Sequence, residues 1–221
     1  MMDTTLVGLK RGLLWALAFG CVGAILLPVL AYSHQRPTAD RVSSDDEMYD
    51  VYSAAIRDLF LRSDESTNPD DFRAKLVVIG DHTISYRWDD WNDPTKTALK
   101  WAKSGVRVGN GTVKDFKRKC KDSIPLETRF ALPKQVLISD QELDNVFGNF
   151  DYDWWERFYK RFPNSVGYVS LSRVGFNLSH DQAFLYVALG CGNLCGSGYY
   201  VLVAKDKGAW SVKHTDPLWV S

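Results

Sequence analysis

Two runs near the C-terminus constrain the fold more than anything else in the chain. Residues 184–189 (FLYVAL) and 199–204 (YYVLVA) are almost wholly apolar. A strand with one wet face alternates apolar and polar side chains, so an unbroken apolar run belongs to a strand covered on both faces. Around these runs, residues 166–177, 182–190, 199–205 and 209–214 read as four strands. Their connections are short, which restricts them to an antiparallel meander. The fourth alternates, with Trp210 and Val212 inward and Ser211 and Lys213 outward. Strands buried on both faces need helices to cover them. The expected class is therefore α+β, with helices packed on an antiparallel sheet that ends in a four-stranded C-terminal meander.

The helices lie upstream. Ser44-Asp45-Asp46-Glu47 has the form of a capping box, and Met48, Val51, Tyr52, Ala55, Ile56, Leu59 and Phe60 follow at helical spacing, predicting a helix over about 46–62. Asp93-Pro94 supplies an N-cap and a first helical residue, with Gly105 as the stop, for a helix over about 94–104. Thr112 as the cap, with Asp115 in the first turn, opens another over 112–120. Ser139-Asp140-Gln141-Glu142 is a second capping box, ended by Gly148. Asp153 to Glu156 opens WWERFYKRF, whose Trp154, Trp155, Phe158, Tyr159 and Phe162 form one broad aromatic face. Residues 76–79 and 83–86 are β-rich runs split by Gly80-Asp81-His82, predicting a hairpin, and residues 135–138 predict a short strand.

Residues 12–32 carry no charge over twenty-one positions and follow Lys10 and Arg11. That length suits a spanning helix. Pro28 followed by Ala31-Tyr32-Ser33 also suits a peptidase site after Ser33, so a signal anchor and a cleaved signal peptide both remain open. The expected organisation is a leader over 1–33, a polar tether over 34–46 (HQRPTADRVSSDD) and a single domain over 47–221, exported to the cell envelope.

The chain balances 27 Lys and Arg against 27 Asp and Glu. Zero net charge excludes a general nucleic-acid binder, because phosphate affinity requires an excess of cations. With 45% hydrophobic and 24% charged residues, it is not a disordered chain either. In an oxidising compartment Cys191 and Cys195, with glycines around them to permit the bend, form the natural disulfide. Cys120 is left over, and its Lys and Arg neighbours mark a solvated helix face.

The run Leu171-Ser172-Arg173-Val174-Gly175-Phe176-Asn177, then Gln182-Ala183, Cys191-Gly192-x-x-Cys195-Gly196-x-Gly198-Tyr199-Tyr200, Gly208-x-Trp210-x-Val212 and a terminal Trp219-Val220-Ser221 resembles the C-terminal signature of a family of uncharacterised bacterial exported proteins. The resemblance implies export and one folded unit, with no activity attached. Helices leading into a curved antiparallel sheet that ends in G-x-W-x-V are also similar to the cone-shaped domains of the nuclear transport factor 2 type, a fold that hosts both enzymes and binding modules.

Three places offer chemistry. The loop over 190–198 has its Cys pair and four glycines, of which Gly192, Gly196 and Gly198 are ligand-binding candidates through an N–H nest. Arg173, His180 and Asp181 flank one hairpin, where an anion-holding guanidinium would stand beside two proton-handling groups. On strand parity Arg173 shares a face with Val169 and Leu171, and a charge there needs a carboxylate partner. Finally, Trp88 and Trp91 with Asp89 and Asp90 combine stacking faces and paired carboxylates, as a saccharide site requires. His34, His82, His180 and His214 are scattered, so no metal site and no cofactor is expected. The reading is a non-catalytic binding or interaction module, with a membrane contact through its N-terminal segment, an unknown envelope ligand or protein as partner, and no nucleic acid. The alternative is an envelope hydrolase acting on a saccharide or cell-wall component. Geometry separates the two: carboxylates gathered in one cleft favour the enzyme, whereas carboxylates that cap helices and pair with cations favour binding.

Overall fold

The structure, a computed structural model, describes residues 44–61, 75–85, 92–148 and 153–221, all within one unit, Arg41–Ser221. The leader and most of the tether lie outside them, as do Trp88, Asp89, Asp90 and Trp91. Among the described residues no helix is long and apolar enough to cross a membrane.

In chain order the elements are α1 (Ser44–Phe60), β1 (Leu76–Gly80), α2 (Pro94–Lys103), α3 (Thr112–Lys119), β2 (Gln135–Ile138), α4 (Asp140–Phe147), α5 (Trp154–Arg161), β3 (Ser165–Leu171), β4 (Gly175–Phe176), β5 (Gln182–Gly192), β6 (Cys195–Asp206) and β7 (Ala209–Val220). The fold is α+β. The strands form one seven-stranded sheet in the order β2-β1-β3-β5-β6-β7, with β4 also on β5. From β3 onward every pairing is antiparallel, which is the expected meander.

The other half of the sheet corrects the expected hairpin. β1 lies between β2 and β3 and is parallel to both, so neither of its edges is free for residues 83–86. Beyond Asp81, His82 and Ile84 make only isolated bridges, to Pro125 and Ser172. Gly80-Asp81-His82 therefore carries the chain out of the sheet. The sheet is mixed, and helices supply the crossovers that parallel strands require.

Alternation along β5 explains its continuous apolar run. Ala183, Leu185 and Val187 pack with Tyr52, Ile56 and their neighbours on α1, while Phe184, Tyr186 and Ala188 pack with Trp101 of α2 and Phe116 of α3. Val78 of β1 points instead to Phe147 and Phe158 of α4 and α5, where the aromatic face of α5 is spent. The caps work as the sequence spells them at Asp93, which accepts from Thr95 N, and at Ser139, which completes its capping box with Glu142. Thr112 is a correction: the cap position is Gly111 in the left-handed region, and the Thr112 hydroxyl donates to the Gly109 carbonyl instead.

The predicted strand over 166–177 is two strands interrupted at residues 172–174. Buried Ser172 bridges the interruption. Its Oγ accepts from Tyr186 N at 2.8 Å and donates to the Arg173 carbonyl at 2.9 Å, while Tyr52 donates its phenol proton to the Ser172 carbonyl. Just beyond, Gly175 brings α3 directly against the sheet. A Cβ at Gly175 would sit 2.5 Å from both Cα and Cβ of Phe116, closer than any real contact.

Candidate functional site

Beside that close approach lies an open concavity. The α3 helix and the β4–β5 turn face each other across an open groove of about 640 Å³, lined by Asn110, Gly111, Lys114, Asp115, Arg118 and Lys119 on one side and Phe176, Asn177, Leu178 and His180 on the other. Lys114 and Arg118 are four residues apart and so share one stripe of α3. With Lys119 they outnumber the single carboxylate, Asp115, by two charges.

Asp115 is fully engaged. Its Oδ1 pairs with Arg118, and its Oδ2 pairs with Lys119 at 2.8 Å and accepts from Phe176 N at 3.0 Å. Burial raises its pKa, but Lys119, the Phe176 amide and Arg118 outweigh that and hold the carboxyl below its usual range. Lys114 is exposed and has no partner among the described residues. Phe176 forms the floor: Lys119 stands over its ring at 5.1 Å, and His180 stacks on it with centroids 5.0 Å apart.

The turn opposite α3 is held rigidly by Asn177. Its Nδ2 donates to Ser179 Oγ and Asp181 Oδ1, and its Oδ1 accepts from the backbone of Asp181 and Gln182. The turn projects Leu178, 96% exposed. His180 has a positive φ of 52° and its Nδ1 meets Glu47 Oε2 at 2.8 Å. Glu47 also accepts from Lys205 at 2.6 Å, so the first turn of α1 is tied to both the groove and β6. Burial raises the Glu47 carboxyl, and the bonds and charges of Lys205 and His180 more than reverse this.

The three residues expected to work together have different partners. His180 faces Glu47. Asp181 faces Asn177, whose hydrogen bond lowers its pKa on the open surface. Arg173 is a correction to the parity argument: β3 stops at Leu171, so alternation no longer fixes its direction. Its guanidinium donates to the Lys119 carbonyl at 3.4 Å, at the C-terminal end of α3. Among the described residues no carboxylate pairs with it.

The glycine–cysteine loop is a hairpin closed by the Cys191–Cys195 disulfide, with Cα atoms 5.0 Å apart. Gly196 pairs with Gly190 on β5, and Gly198 lies in the ladder between Ala188 and Trp219, so backbone pairing engages both positions. A Cβ at Gly198 would run into Trp219 Nε1 and stand 2.5 Å from the Tyr186 hydroxyl, to which that Nε1 donates. These glycines seat an indole. Cys120 is buried beneath α3, where its Sγ donates to the Arg173 carbonyl and burial pushes its thiol up to about 12. It is a packed side chain with no thiolate at neutral pH. Among the described residues no group of His, Cys, Asp and Glu is placed to hold a metal ion.

Compared with protein-family models, with curated proteins and with solved structures, the chain matches none.

Proposed function

We propose that this chain is an exported or membrane-tethered domain of the cell envelope that binds a ligand or partner through the α3 groove and does no chemistry on it. The observation that carries the reading is the state of the groove's carboxylate. A general acid needs a raised pKa, and a nucleophile needs a free carboxylate. Asp115 is held ionised and its oxygens are engaged by Arg118, Lys119 and the Phe176 amide, while Lys114 faces solvent. The groove thus offers charge and shape for recognition. The Cys191–Cys195 disulfide supports an oxidising compartment, and the uncharged stretch over 12–32 supports a route to it.

The test is a lysine-acetylation footprint of the full chain in intact envelope and after purification in neutral detergent. The binding reading expects Lys114 to react several-fold more slowly in the envelope, with Lys103 and Lys213 unchanged. Equal rates at Lys114 in the two settings would overturn it.

A further inference from the structure

We infer that the α3 groove recognises the phosphate headgroup of an anionic phospholipid, with Leu178 entering the apolar layer beside it. This rests on the reading of the groove as a binding site and names what it takes.

Charge is the first argument. The described domain belongs to a chain of zero formal charge, yet the groove gathers Lys114, Arg118 and Lys119 against one carboxylate that is already paired. Lys114 and Arg118 stand on the solvent side of α3, where an arriving oxyanion meets two cations at once. Surplus positive charge gathered at one place on a chain of no net charge is a local attractor for anions, effective within about 10 Å at ordinary salt.

Leu178 is the second argument. It is a large apolar side chain 96% exposed at the crest of a turn. The turn itself is fixed by four Asn177 side-chain bonds, so Leu178 is presented, not left dangling. A free phosphate has no use for an apolar prong. An anionic lipid surface has both parts, a charged headgroup plane and hydrocarbon a few ångströms beneath it.

Position in the chain is the third. Glu47, in the first turn of α1, holds His180 on the lip of the groove. α1 is the first described helix of the domain, so the groove's lip is tied to its N-terminal end.

The experiment uses the full chain in neutral detergent micelles doped with phosphatidylglycerol or with phosphatidylcholine, alongside inorganic phosphate at the same phosphorus concentration. Acetylation at Lys114 and Lys119 is read by mass spectrometry, with Lys103 and Lys213 as internal references. Phosphatidylglycerol is expected to slow Lys114 several-fold and phosphatidylcholine to leave it unchanged. In Leu178→Ser the lipid protection should fall, and in Lys114→Glu with Arg118→Glu the protection of Lys119 should vanish. Equal protection by both lipids would overturn the inference, since charge would not be what is recognised. Protection by inorganic phosphate as strong as by phosphatidylglycerol, unaltered in Leu178→Ser, would overturn the lipid as source. Protection in intact envelope with none from phosphatidylglycerol would overturn this inference while leaving the binding module standing. No protection in either would remove both.

Discussion

Replacing Gly175 by alanine tests the contact on which the groove depends. The added methyl would lie 2.5 Å from Cα and Cβ of Phe116, where ordinary contact begins at 3.4 Å. The Phe116 backbone nitrogen is closer still, and helix backbone cannot yield at one residue, so α3 must lift by roughly 1 Å or β4 must leave β5. Phe116 is fully buried, with Phe184 at 4.9 Å and Tyr200 at 5.9 Å between ring centroids. A gap of that size forfeits about a quarter to a half of each dispersion contact. For a buried phenylalanine, whose full truncation costs about 3–5 kcal/mol, this amounts to about 1–2 kcal/mol. Backbone strain from overpacking adds about 1 kcal/mol or more, so the expected loss is about 2–4 kcal/mol. Urea denaturation of the full chain in neutral detergent, followed by tryptophan fluorescence, measures it. A midpoint shift worth less than about 0.5 kcal/mol, an ordinary surface effect, would refute the seating of α3 on β4.

Other perturbations probe independent parts. Ser172→Ala strips the buried Tyr186 N–H of its acceptor and should cost about 1–3 kcal/mol in the same assay; a neutral result would mean that the strand break is bridged some other way. Cys191→Ala with Cys195→Ala opens a short covalent loop and should cost about 2 kcal/mol, and the unreduced wild-type chain should be two hydrogens lighter by intact mass than the reduced one. The Glu47 carboxyl is lower in the folded than in the unfolded chain, so its contribution is complete above about pH 4.5 and is lost as pH falls through the folded value. Urea midpoints measured on acidification should decline over that window, and Glu47→Gln should flatten the decline; an unchanged slope would place the His180 and Lys205 contacts outside the folded ensemble.

Local signals in the sequence translated well where they acted locally. Asp93-Pro94, the Ser139 capping box and the strand over residues 135–138 each involve neighbours within a few positions, and the structure uses them as written. The apolar runs in β5 and β6 also told correctly of cover on both faces. What failed were inferences that needed a distant partner. Gly80-Asp81-His82 resembles a hairpin turn, yet the partners of β1 come from residues 135–138 and 165–169, through parallel pairings that no local pattern announces. Parity does not fix Arg173, because β3 ends at Leu171 and Ser172, which still donates its N–H to Tyr186, accepts from Tyr186 through its hydroxyl. The basic stripe on α3 was visible as such. Its role in a groove was not, since the facing turn lies about sixty residues on and meets it only because Gly175 lacks a side chain.

The long outer strand β7 governs how this domain lives beside its own copies. Twelve residues of edge would ordinarily invite a neighbouring chain to add a strand. Here the ladder with β6 slips twice, setting Lys213 and Leu218 out of register, and Pro217 removes one N–H altogether. Lys213 puts an exposed charge on the rim, and Leu218 turns inward against the cluster around Trp101 and Tyr200. A would-be docking strand meets an interrupted row of donors and acceptors, so sheet-to-sheet aggregation has poor footing. At the far side the rim is β2, only four residues long. Association through side chains is therefore favoured over polymerisation through the backbone.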